Sequence, residues 1–158
     1  WKLEQRRSYF AVELTCGWWL WGIDIALDSR IDSPQQAYFC DILERALSAH
    51  EAPRIILCTA KPVWLDNPRH SDDAYNNLAY FLDLVESYSA RDTEDTSVST
   101  RKAVVRAILS GDVHHYSRYE RHAGPDGDDG GRQLIVAGGG GSYLAATHHA
   151  PERVHEVT

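Results

Sequence analysis

Hydrophobic and polar positions alternate in two early stretches of the chain. Residues 7–14 ("RSYFAVEL") and 18–27 ("WWLWGIDIAL") are aromatic and aliphatic, which predicts strands. A short turn containing Gly17 separates them, so they read as a hairpin. Alternation sets Trp19 and Trp21 on the face opposite Trp18, a pattern for core packing rather than a ligand platform. The period then changes. Ser33 is placed to cap a helix, Pro34 suits its first turn, and Gln36 completes a capping box. Tyr38, Phe39, Ile42, Leu43, Ala46 and Leu47 follow at helical spacing and predict one buried stripe.

Residues 54–60 ("RIILCTA") form a short apolar run, like a strand covered on both faces. Tyr75, Leu78, Leu82 and Val85 mark a second amphipathic helix after Ser71, Asp72 and Asp73. Residues 89–101 are a polar connection, residues 103–110 ("AVVRAILS") a buried strand, and residues 132–141 ("RQLIVAGGGG") the last strand. Between these two strands, residues 117–131 read as a loop by their Gly, Asp and Pro content. The order β-β-α-β-α-β-β predicts an α/β fold with mixed sheets. No repeat or internal boundary divides residues 1–158, which read as a single domain.

Composition narrows the function. The 158 residues carry a formal net charge of −7 and no block of Lys and Arg, which argues against a nucleic-acid partner. No apolar run is long enough to span a membrane, and the first residues do not make a signal peptide. Cys16, Cys40 and Cys58 are widely spaced in apolar stretches, with no CxxC pair, and are expected to be buried thiols. Unpaired thiols and the lack of an export signal predict a cytoplasmic location. The chain has no Met and opens on Trp1, so a piece of a longer protein is expected.

The densest candidate chemistry lies in residues 108–120, "ILSGDVHHYSRYE". Asp112, His114 and His115 follow an apolar strand, where functional groups collect in α/β sheets. If the segment is extended, Asp112 and His114 share a face and His115 points away. A carboxylate beside an imidazole suits Zn, Mn or Fe, or an acid–base pair. Equally, Asp112 can cap the turn while His114 bonds locally. The run of glycines at 138–141 lacks both the P-loop Lys and the G-x-G-x-x-G spacing, and fits a close approach of backbone to a neighbouring element. His148 and His149 follow it. Asp24, if buried, needs a partner, whereas Asp28 suits the turn that follows. No G-x-S-x-G elbow is present, and no cysteine sits beside a histidine.

With these elements in order, the chain resembles the C-terminal half of a calcineurin-like metallophosphoesterase, particularly a bacterial subgroup. The resemblance runs through "RSYFAVEL", "WWLWGIDIALDSRIDSPQQAYF", "RIILCTAKPVW", "ILSGDVHHYSRY" and "LIVAGGGGSYL". It implies part of an α/β/β/α sandwich, two facing mixed sheets flanked by helices. It also implies hydrolysis of phosphate esters with two divalent ions, Mn, Fe or Zn, at the strand ends. Residues 111–114 match the family's G-H-x-H, making His114 a metal ligand and putting Asp112 where the family has histidine. His115, Arg118 and His148 are placed as substrate contacts or supports of the ligands, and Arg121 lies near. Ala60 stands where an H-x-P histidine is expected. The family's three earlier motifs, D-x-H, G-D-x-x and G-N-H-D/E, are absent. "GDVH" also has the D-x-H form, but no strand follows to present a second metal aspartate.

The resemblance therefore implies a metal-dependent phosphoester hydrolase whose dinuclear site is complete only in a longer parent. This chain alone is expected to bind metal weakly or not at all and to be inactive. Missing strands would leave exposed edges and favour self-association. The departures at Ala60 and Asp112 support an alternative, a non-catalytic binding or scaffold domain with a degenerate metal site.

Overall fold

The computed structural model describes residues 5–25, 30–65, 73–88, 101–120, 131–139 and 150–154. Strand β1 (Phe10–Glu13) and strand β2 (Trp18–Gly22) form the expected hairpin, with Phe10 opposite Gly22 and Glu13 opposite Trp19. Its turn is closed by the Trp18 N–H donating to the Thr15 carbonyl at 3.2 Å. Both central residues have positive φ, 58° at Cys16 and 75° at Gly17. That is the signature of the type I′ turn, whose twist matches a hairpin. Cys16 is consequently exposed rather than buried, and Cys40 and Cys58 are half-buried.

Helix α1 (Ser33–Ala49) begins one residue earlier than Ser33 as cap would allow. Asp32 is the cap, its Oδ1 accepting from the Gln35 N–H at 2.8 Å. The shift gives Gln35 a different task. Its buried side-chain amide accepts from the Asp24 N–H at 2.8 Å and donates to the Asp24 carbonyl at 3.1 Å. The chain leaving β2 has lost its strand partners there, and Gln35 replaces them. Asp24 has a further partner in the Ser8 hydroxyl, which donates to its carboxylate.

Strand β3 (Arg54–Thr59) leads through a 3-10 turn (Val63–Leu65) to helix α2 (Asp73–Ser87) and strand β4 (Val104–Ser110). Strand β5 (Tyr116–Glu120) lies where a loop was expected, and pairs antiparallel with strand β6 (Gln133–Ala137). The final strand thus ends before the glycines. The six strands make one mixed sheet in the order β1-β2-β3-β4-β6-β5. The four inner strands run parallel, and the antiparallel β1 and β5 form the edges.

Both helices cover one face of this sheet. Trp21 of β2, Phe39 of α1 and Phe81 of α2 meet with ring centroids 5.0 Å (Trp21–Phe39 and Phe39–Phe81) and 6.3 Å (Trp21–Phe81) apart, all fully buried. The stripe of α1 is buried as its period predicts, except that Tyr38 is half-buried and its hydroxyl accepts from the Ala11 N–H at 2.9 Å. Trp19, Ile55, Leu57, Val105, Ile108, Leu134 and Val136 complete the core from the sheet. The alternate residues Leu20, Ile56, Leu109 and Ile135 lie on the second face, half-buried. A mixed α/β architecture is therefore shown. The described residues comprise one sheet, and the second sheet of an α/β/β/α sandwich is not among them.

The alternation slips once. Ile55 pairs with Val105 but Ile56 pairs with Ala107, so Arg106 is an extra residue, a β-bulge in a parallel pair. Before the bulge Ala103 and Val105 are buried, and after it Ile108 and Ser110 are.

Candidate functional site

Strands β2, β3, β4 and β6 all end at one edge of the sheet, and residues 111–115 turn there. The Val113 N–H donates to the Gly111 carbonyl at 2.7 Å, and the His115 N–H to the Val113 carbonyl at 2.8 Å. These are successive three-residue turns centred on Asp112 and His114. Asp112 has a φ of 62°, which belongs to the rarer, strained form of such a turn. The segment is not extended, so the expected sharing of a face by Asp112 and His114 does not follow from alternation. Asp112 is exposed and His114 half-buried, while His115 is buried at 8% exposure. The His115 Nε2 lies 3.3 Å from the Ser117 hydroxyl.

Two neighbours fix this turn. The Ser110 hydroxyl donates to the Ala60 carbonyl at 2.9 Å, tying the end of β4 to the end of β3. On the other side the Gly138 N–H donates to the His115 carbonyl at 3.2 Å. A β-carbon at Gly138 would stand 1.9 Å from the Val113 carbonyl oxygen, so only glycine fits. The close-approach reading of the glycine run holds at Gly138. Positions 140 and 141 lie outside the described residues.

The other candidate residues divide. Arg118 is exposed on β5, with its Nε donating to Gln133 Oε1 at 2.6 Å and its guanidinium 3.5 Å from Glu120. Gln133 begins β6, so this bond draws Arg118 away from the turn. His148, Arg121 and Asp28 lie outside the described residues. Ala60 does stand at the end of β3, as its place in the sequence implies. Pro62, Val63 and Trp64 after it are buried and pack into the core side.

Asp112 and His114 are suitable in kind for a borderline divalent ion. In number they fall short: among the described residues no group of three or more His, Cys, Asp or Glu could hold a metal. The described residues therefore do not make a closed metal centre. Sequence reasoning missed Gln35 and the bulge at Arg106. The first was hidden by two adjacent cap-competent residues, the second by its burial in an apolar run. A signal for the bulge did exist, since no single alternating phase accommodates both Val105 and Ile108. The chain matches no family model, no curated protein and no solved structure. No described helix is long and apolar enough to cross a membrane.

Proposed function

We propose that this chain contributes His114, with Asp112, to a divalent-metal site of a phosphoester hydrolase, completed by ligands outside the described residues. The observation that carries the reading is the left-handed Asp112, held at the carboxyl ends of four parallel strands. Strain of this kind needs surrounding structure to maintain it, and it gathers at sites where a side chain must be aimed. Gly138 and Ser110 supply that structure. The resemblance to calcineurin-like phosphoesterases adds the reaction class and, with it, the facing second sheet and a phosphate-ester substrate. A scaffold role is supported by Ala60, which places a methyl group at the end of β3.

The test is Zn and Mn titration calorimetry on the chain, compared with His114→Ala and Asp112→Asn. Weak binding that both substitutions abolish, at unchanged melting temperature, is the expected result. In a longer form of the protein the same substitutions should remove turnover of a generic phosphodiester. Unaltered metal binding and turnover in both variants would reject the reading.

A further inference from the structure

At the opposite ends of the same strands lies an open, solvent-facing cleft of about 440 Å³. Its described lining is Trp18, Arg54, Ile56, Arg106, Ala107, Gly131 and Gln133. Three features set it apart. First, it takes two guanidinium groups and no described carboxylate from a chain with a net charge of −7. Second, Arg106 is the bulged residue of β4, and bulges re-aim side chains. The bulge puts Arg106 and the small Ala107 consecutively on the second face, where alternation would send one of them into the core. Third, the Arg54 guanidinium stacks over the Trp18 ring, 5.6 Å from its centroid. Trp18 is the one member of the Trp18, Trp19, Trp21 trio that the core does not bury.

We propose that this cleft binds a small aromatic carboxylate. Arg106 pairs with the carboxylate, and the Trp18–Arg54 stack forms the flat wall against which the ring lies. A guanidinium matches a carboxylate through two parallel N–H···O bonds, and it stacks as readily as it pairs. Apolar Ile56 and Ala107 form the floor of the cleft.

The experiment titrates the ¹⁵N-labelled chain with 2-naphthoate in the presence of EDTA, so that no metal takes part, and follows the Trp18 indole N–H. Saturable shifts with a dissociation constant of about 1 mM or below are expected, ordinary for a ligand of this size. Arg54→Gln and Arg106→Gln should each weaken binding about tenfold, with circular dichroism melts confirming that both variants fold. Neutral 2-naphthamide and non-aromatic cyclohexanecarboxylate should bind more weakly than 2-naphthoate. Failure to saturate by about 10 mM, or unchanged affinity in both arginine variants, overturns the proposal. Equal binding of 2-naphthamide overturns the anion site, and equal binding of cyclohexanecarboxylate overturns the stacking wall.

Discussion

The two faces of the sheet are made from the same strands and yet are built differently. On the helix-covered face, Trp21, Leu57 and Ile108 are fully buried among the aromatic rings of α1 and α2. On the other, Leu20, Ile56 and Leu109 are half-buried, and two arginines stand among them. The first face is a packed core whose side chains are set by volume. Among the described residues the second face is covered less closely than the first, and polar groups stand among its apolar side chains.

The sharpest probe of that contrast is a matched pair of truncations. Leu57→Ala should cost about 2–5 kcal/mol in urea unfolding, as expected for a fully buried leucine. Leu109→Ala should cost less than half as much. Equal costs would mean that the second face is as tightly covered as the first, and the comparison would fail. Next in size is Gln35→Ala, at about 1–3 kcal/mol, because it leaves the N–H and carbonyl of Asp24 without their partner. A neutral outcome would show that water replaces the amide readily.

Much of this architecture was legible in the sequence, for a physical reason. The hairpin, both helices and the inner strands bury apolar side chains, and burial writes a period into the chain. Strand β5 escaped because it is an edge: Arg118 and Glu120 point to solvent, only Ser117 and Tyr119 turn inward, and the run reads as polar. The helix cap was misplaced by one because Asp32 and Ser33 are both competent, and the choice is made by Asp24, eight residues upstream of the cap. At the site, Asp112 and His114 were visible as residue types. Their geometry was not, since the consecutive tight turns depend on Gly138, more than twenty positions away.

Smaller effects test the margins. Cys16→Gly should stabilise the hairpin by up to about 1 kcal/mol, the left-handed penalty of a side chain less the added freedom of glycine in the unfolded chain. A loss of stability would indicate that the thiol makes a contact of value. Alkylation compares the cover over the thiols directly. Burial pushes the Cys58 thiol up, and burial, then Asp41 and Glu44, push up Cys40. A raised value means less thiolate, so at about pH 8 iodoacetamide should modify the exposed Cys16 first. Raising the pH should then speed Cys40 and Cys58 proportionally more. Cys58 lies on the second face, and modification as fast as that of Cys16 would show that face to be barer than described.

The bulge in β4 also bears on what lineages of this chain could gain or lose. Arg106 is the one residue of the strand that neither ladder requires. Its deletion would pair Ile56 with Ala107 as now, and would leave Val105, Ile108 and Ser110 facing the helices in unbroken alternation. Most single-residue deletions in a central strand throw every later side chain to the wrong face. Here a one-codon deletion is the repair of an irregularity. Arg106 is thus the position of β4 whose loss the strand's alternation can absorb.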